Sequence, residues 1–144
     1  MRSRLIAVLS LAAVSGSAQS TALSGEWAVA GEGAKGTTPE GANWSLTPMS
    51  GTLTLEQKGN EVSGTWKAQM PEPWTVSGHI DNQSFELRTE WRDIQVSRDG
   101  TTSTMRARWV FRGAVEGNSA AGSMGFEFEK GAARGQPFKA TRTP

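Results

Sequence analysis

The amino-acid sequence predicts a single eight-stranded, up-and-down antiparallel β-barrel that follows a cleaved export signal. Three observations lead to this prediction. Apolar and polar residues alternate along most of the chain, turn-forming residues recur at short intervals, and no window has the apolar spacing of a helix. Eight strands joined by hairpins close readily into a barrel, because closure removes exposed sheet edges. A β-sandwich would show the same alternation and stays the alternative.

The first twenty residues have the three-part pattern of a signal peptide. Residues 1–4 are cationic, residues 5–14 form a short apolar run, and small residues follow up to Ser20. Ten helical residues cover about 15 Å, roughly half a bilayer, so we expect cleavage and no permanent anchor. The expected organisation is a signal peptide over residues 1–20 and a β-barrel domain over residues 21–144. The expected localisation is secreted or periplasmic.

The alternation defines eight strands, each with one apolar face. They are Leu23–Ala30, Thr52–Glu56, Val62–Ala68, Trp74–Ile80, Ser84–Trp91, Met105–Val115, Met124–Glu129 and Phe138–Arg142. Residues that tolerate positive φ, such as Gly59-Asn60 and Asp99-Gly100, lie between the strands and predict tight hairpins. The longer segment Gly31–Ser50 is rich in Gly, Thr and Pro, and we expect it to overhang one end of the barrel.

One hairpin allows the pairing register to be predicted. A two-residue Asp99-Gly100 turn sets Ile94 opposite Met105. Upstream of this hairpin the inward residues change from even to odd numbers, so we predict one extra residue, a β-bulge, near Arg92–Asp93. The shifted register then gives the pairs Thr89–Trp109, Leu87–Phe111, Glu86–Arg112 and Glu90–Arg108.

Composition excludes several classes of function. The chain has no Cys, which excludes a disulfide scaffold, a zinc ribbon and a thiol nucleophile. It has one His, which excludes multi-His metal sites, and we expect neither a metal nor a cofactor. The 15 basic and 14 acidic residues are nearly balanced and give no nucleic-acid footprint. No apolar run after the signal reaches membrane length, so no membrane span is expected.

The ionisable residues are predicted to lie on the outer surface. Gly78 and Ile80 belong to the apolar face of their strand, so His79 between them points to solvent. We interpret His79 as a surface residue in preference to a catalytic base. Paired carboxylates such as Glu127 and Glu129 also project outward and have basic partners, so no catalytic residue is assigned.

The Trp residues form the candidate ligand site. Alternation predicts that Trp27, Trp66, Trp91 and Trp109 point inward. The inward glycines Gly64, Gly78 and Gly113 carry no side chain, so the rings either fill the core or line a cavity. Two further Trp residues lie next to Pro-containing loops, where a rim position is expected. The candidate ligand-binding residues are therefore Trp66, Trp91, Trp109, Trp44 and Trp74, for a small apolar or aromatic ligand.

The motif Gly25-Glu26-Trp27 on the first strand, after an export signal and before a strand meander, resembles the calycin group, which includes lipocalins and avidins. That resemblance implies that Trp27 closes one barrel end and that Arg142, late in the last strand, packs over it. It gives Gly25, Trp27 and Arg142 structural roles. Biotin-binding members use a Tyr and a late Asp, but this chain has no Tyr and no acidic residue after Glu129. Biotin is therefore not the expected ligand.

Three functions remain open. The first is an exported barrel that holds a small apolar or aromatic ligand. The second is a secreted protein–protein module with a protein partner, such as an inhibitor or an accessory envelope domain; Ser24-Gly25-Glu26-Trp27 is similar to the opening of bacterial metalloprotease inhibitors of the same barrel class. The third is a barrel enzyme of isomerase or cyclase type, which is the least favoured because no inward ionisable residue can be named.

Overall fold

The described chain, residues 22–68, 72–130 and 134–144 of a computed structural model, consists of β-strands joined by turns and loops. The predicted signal peptide lies outside these residues. The strands are β1 (Gly25–Gly31), β2 (Ala34–Thr37), β3 (Asn43–Leu46), β4 (Ser50–Lys58), β5 (Glu61–Lys67), β6 (Trp74–Asp81), β7 (Ser84–Thr89), β8 (Arg92–Arg98), β9 (Thr101–Glu116), β10 (Ser119–Phe128) and β11 (Arg134–Arg142). No membrane-spanning helix occurs in the described part of the chain.

Eight of these strands close into an antiparallel barrel. The neighbours in order are β1, β4, β5, β6, β7, β9, β10 and β11, and β11 pairs with β1 to complete the ring. Consecutive barrel strands are neighbours throughout, which confirms the up-and-down barrel and excludes the sandwich. Three strands lie outside the ring: β8 pairs with the first half of β9, and β2 and β3 form a separate ribbon.

The two ends of the barrel are built differently. At the lower end, tight turns join β4 to β5, β6 to β7 and β9 to β10, and the start of β1 lies beside the end of β11. At the upper end lie the β1–β4 connection, the start of β6 and the β8–β9 ribbon. The β1–β4 connection is the segment expected to overhang the barrel, and it contains the β2–β3 ribbon. Its strands were not predicted because each has only 4 residues, too few for an alternating pattern to stand out.

The observed register confirms the extra residue but moves it. Ile94 pairs with Met105, as the Asp99-Gly100 turn requires, and further along Leu87 pairs with Phe111. Arg88 pairs with Val110 and Arg92 with Ala107, so residues 89, 90 and 91 oppose only residues 108 and 109. The bulge therefore lies upstream of the predicted position at Arg92–Asp93.

Four inward glycines mark places where neighbouring strands come close together. A Cβ on Gly64 would overlap the carbonyl oxygen of Thr54 on β4. Gly78, Gly113 and Gly122 approach the backbone of a neighbouring strand in the same way. Glycine at such kinks lets a sheet curve sharply enough to close. The inward glycines therefore serve barrel curvature, which corrects their interpretation as free space beside the rings.

Candidate functional site

Trp27 closes the lower end of the barrel. Its ring is 1% exposed, and its indole N–H donates to the Leu23 carbonyl at 3.0 Å. The Arg142 guanidinium lies 4.5 Å from the centre of that ring. Arg142 also donates to the carbonyl oxygens of Ala22 and Ser24 and to the side-chain oxygen of Asn118. The lower end is thus a plug in which the aromatic ring and the guanidinium both have partners.

Gly25 explains the spacing of the Gly-x-Trp motif. Its φ of 127° lies in a region that residues with a side chain rarely adopt. A Cβ at this position would stand 3.3 Å from Nη1 of Arg142. Gly25 therefore gives the guanidinium room to reach both the Trp27 ring and the carbonyls of the N-terminal turn.

The upper half of the barrel holds an aromatic cluster. We define the upper aromatic cluster as Trp66, Trp74, Trp109, Phe111 and Phe126. Ring centres are 5.6 Å apart for Trp66 and Trp109, and 4.2 Å apart for Trp109 and Phe126. Phe126 also links Trp74 to the cluster at 6.4 Å, and Trp66 pairs directly with Trp74 across β5 and β6. Three of the five candidate Trp residues therefore meet at one end of the molecule.

The indole nitrogens of this cluster have no hydrogen-bond partner among the residues that the structure describes. Nε1 of Trp66, Trp74 and Trp109 is buried, and none of the described residues supplies an acceptor. An unpaired buried donor destabilises the folded state by about 1–3 kcal/mol, so three of them together lower its stability considerably. Trp27 at the opposite end provides the contrast, because its N–H is bonded.

The other polar side chains buried near this end are already engaged. The Thr89 hydroxyl donates to the Glu90 carbonyl at 3.0 Å and accepts the backbone N–H of Trp109 at 2.8 Å. Gln136 accepts the N–H of Gly33 at 2.7 Å and donates to the Thr47 carbonyl at 3.3 Å. Gln136 thereby ties the β1–β4 connection to β11 beside the barrel.

An arginine covers the cluster at the start of β6. Arg92 lies 4.4 Å from the ring centre of Trp74 and donates to the Pro73 carbonyl at 2.6 Å. Its guanidinium is also 3.5 Å from the Glu90 carboxylate. Trp74 itself is 1% exposed and belongs to the core, where the sequence predicted a rim position. The sequence missed Arg92 because its direction depends on the bulge, and it missed Phe126 as a site residue although alternation placed it inward.

Trp91 lies outside the barrel core, which corrects the prediction that it points inward. It is half-buried, and its ring stacks against the Arg108 guanidinium at 4.3 Å. The cause is the bulge, because an extra residue before Arg92 ends the alternation at Thr89. Trp44 is half-buried on β3, outside the ring of barrel strands, with its indole against Gly36.

A groove of 380 Å³ crosses the outer face of β6, β7 and β9. Its lining includes Thr75, Ser77, His79, Glu86, Arg88 and Arg108. His79 is exposed there, as the alternation predicted. Within the described residues, no group of three His, Asp or Glu side chains is placed to hold a metal ion.

Ion pairs run along this outer surface. Glu86 pairs with Arg112 at 3.1 Å, as predicted, and also contacts Arg88. Hydrogen bonds from Arg112 and then Arg88 hold the pKa of Glu86 below its ordinary value of 4.5. The predicted Glu90–Arg108 pair is wrong, since Arg108 bonds Glu127 at 2.9 Å. The bulge displaces Glu90, which accepts a backbone N–H of β6 at 3.1 Å instead.

These features define a closed eight-stranded antiparallel β-barrel protein with a plugged lower end and an aromatic upper end. Comparison with known proteins adds no family to this description. No protein-family model, no curated protein and no solved structure matches the chain.

Proposed function

We propose that this protein is an exported, calycin-like barrel that binds a small apolar or aromatic molecule at its upper end. The observation that carries the proposal is the set of three buried indole N–H groups for which the described part of the chain supplies no acceptor. Buried polar groups in proteins are nearly always hydrogen-bonded, so an unpaired set in one place points to a binding site. Aromatic walls with a few convergent polar groups are typical of small-molecule sites.

The difference between the two ends supports this location. Trp27 and Arg142 plug the lower end, so a ligand has no route there. The upper end carries the longer connections and the Arg92 side chain, which rests on Trp74 from outside. We therefore place the entry at the upper end, beside Arg92.

Two further parts of the proposal rest on the sequence. The Gly25-Glu26-Trp27 motif and the stacking of Arg142 on Trp27 support membership of the calycin group. Residues 1–20 have the signal-peptide pattern and support export. Expression of the full chain in a secreting host, followed by intact-mass measurement, tests export. Retention of residues 1–20 on the recovered protein would contradict it.

The binding proposal is tested with N-phenyl-1-naphthylamine, a neutral aromatic probe whose fluorescence rises in apolar sites. We expect saturable binding with one site per chain, weakened in Trp74→Phe and Trp109→Phe. Trp27→Phe is the matched control, because the same change at the plugged end leaves the probe affinity unaltered. The proposal fails if this probe, 1-aminoanthracene and the carbonyl-bearing 6-propionyl-2-dimethylaminonaphthalene, all of them neutral and fluorescent, show no saturable binding. Equal affinity in all variants would also place the site elsewhere.

A protein–protein module is the second candidate, and one observation favours it. The order of strands puts β8 at the end of the sheet, with its second edge unpaired by any described strand. Asp99 and Gly100 have φ of 53° and 77°, as in a two-residue hairpin turn, so Arg98 and Thr101 form its first bonded pair. Bonded pairs alternate from there, so the N–H and carbonyl of Gln95 face the free edge.

An extended strand of a partner protein could therefore add to β8. Gln95→Pro removes an outward N–H without breaking a backbone β8–β9 bond, and it should abolish capture of a strand-like partner. It also removes the side-chain bond from Gln95 to Thr104, which the control variant removes as well. Gln95→Thr, which keeps the N–H, is the control. Capture of a stoichiometric partner from culture fluid by wild type and by Gln95→Thr, and not by Gln95→Pro, would establish this function. Equal capture by both variants would exclude the β8 edge.

A further inference from the structure

We infer that the ligand of the upper end is a neutral, flat molecule with hydrogen-bond acceptor groups, in the chemical class of conjugated ketones. The inference rests on the proposed function and deepens it. Its basis is the kind of polar atom that the upper aromatic cluster leaves unpaired.

The unpaired polar atoms in this cluster are all donors. The indole of Trp has an N–H and no acceptor, so Trp66, Trp74 and Trp109 offer three donors and nothing else. A ligand carbonyl or ether oxygen can accept from them. A ligand that carries only donors would add an unpaired group to a site that already has three.

The acceptors nearby are already occupied. The hydroxyl of Thr89 and the amide of Gln136 each donate one hydrogen bond and accept another within the protein. These two residues and Gln57 are the polar residues buried in the described part of the chain. Gln57 lies towards the other end, where it accepts from the Leu23 N–H at 2.9 Å. The protein therefore presents donors to a ligand at the upper end, and its buried acceptors are used internally.

The charge of the ligand follows from the same set of residues. Gln57, Thr89 and Gln136 are uncharged, so the described core provides no counter-ion. A carboxylate or an ammonium group would lose its hydration without gaining a partner of opposite charge. Arg92 does not supply one, because it lies over the Trp74 ring and within 3.5 Å of Glu90.

The shape of the ligand follows from the ring contacts. Trp66 and Trp109 meet at an interplanar angle of 71°, and Trp109 and Phe126 at 35°. Aromatic rings prefer tilted and edge-to-face contacts of this kind, so a flat π-system can join the cluster in the same geometry. A conjugated ketone combines such a surface with an oxygen for an indole N–H.

The test uses matched probes that differ in one group. Indane has no acceptor, whereas 1-indanone has the same two rings with one CH2 replaced by a carbonyl. Indane-1-carboxylate and 2-aminoindane supply the negative and positive charges. One hydrogen bond to a buried donor should make 1-indanone bind about tenfold more tightly than indane. Both charged probes should bind more weakly than 1-indanone.

The direct readout is the indole N–H signal in a ¹⁵N-labelled sample. We expect 1-indanone to move at least one of the Trp66, Trp74 and Trp109 signals downfield, as a new hydrogen bond does. The Trp27 signal should stay in place because its N–H is already bonded to Leu23. Substitution of the responding Trp by Phe should bring the affinity ratio of 1-indanone to indane towards one. Trp27→Phe should preserve the ratio.

The outcomes separate this inference from the proposed function. If none of the four probes binds and the three fluorescent probes also fail, the binding function itself is wrong. If indane binds as tightly as 1-indanone, the site exists but the acceptor class is wrong. If the carboxylate or the amine binds best, the neutral class is wrong. The NMR measurement on the unmodified protein decides the matter even if a Phe variant fails to fold.

Discussion

The two ends of this barrel contain the same pair of residue types, but they differ in whether the polar groups are hydrogen-bonded. Each end has a buried Trp with an arginine over its ring, at 4.5 Å for Arg142 on Trp27 and 4.4 Å for Arg92 on Trp74. At the lower end the indole N–H is bonded and the guanidinium reaches several oxygens. At the upper end the indole N–H has no acceptor within residues 22–68, 72–130 and 134–144. The lower pair stabilises the fold through its hydrogen bonds. The upper pair leaves an indole donor that no described residue accepts.

Removing the two arginines should give the largest difference between the ends. Arg142→Ala removes charge-assisted hydrogen bonds and the cation–π contact together, so we expect a loss of about 3 kcal/mol in the free energy of unfolding. Arg92→Ala is the matched change and should cost about 1.5 kcal/mol, because its side chain makes the ring contact but only one hydrogen bond and a partly exposed ion pair. Urea unfolding measures both values. Equal losses would mean that the ends do not differ in this way.

A smaller effect is expected when an indole is replaced by a phenyl ring, which removes the N–H together with part of the ring. Trp27→Phe leaves the Leu23 carbonyl without its partner and should cost about 2 kcal/mol. In Trp109→Phe the lost ring contacts are partly offset, because an unpaired donor disappears with them. We expect a cost of about 1 kcal/mol or less for this variant. A cost for Trp109→Phe that matches Trp27→Phe would show that the upper N–H is satisfied.

The smallest effect should come from Glu86, which lies on the outer face of the barrel between the two ends. The folded pKa of Glu86 is lowered by Arg112 and Arg88, so its ionised form stabilises the protein above pH 4.5. That contribution disappears as the pH falls through the lower folded pKa. Wild type should exceed Glu86→Gln in urea midpoint at pH 7, and the gap should shrink as the pH falls from 4.5 towards 3. A gap that stays constant with pH would assign the effect to packing.

The fold could be predicted from the sequence because the alternation of apolar and polar residues indicates which face of each strand is buried. It placed Trp66 and Trp109 inside, and a two-residue turn set the register of the β8–β9 ribbon. Alternation also required an extra residue between Ser84 and Met105. It did not show which residue is extra. The bulge was predicted about two residues too far along the chain, so Trp91 was expected inside the barrel, whereas it lies outside.

The hydrogen bonding of the indoles could not be predicted. Whether a Trp N–H meets an acceptor depends on the position of atoms far away in the sequence or in an adjacent turn. Trp27 finds the Leu23 carbonyl only because the chain turns back before β1. In the sequence the three upper Trp residues look like Trp27, because all four lie on the inward face of a strand. Only the distances in the folded barrel show which indole N–H has an acceptor.

The pairing of β1 with β11 also determines how the protein folds. The hydrogen bond from Arg142 to Ala22 joins residues 120 positions apart, so the ring closes through one of its most distant contacts. Loop closure over such a separation is slow, because the chain loses conformational entropy before the favourable contacts between the two ends can form. Until β11 docks, β1 and β10 each present an open edge on which another chain can add a strand. We therefore expect formation of the barrel and protection from aggregation to occur in the same late step.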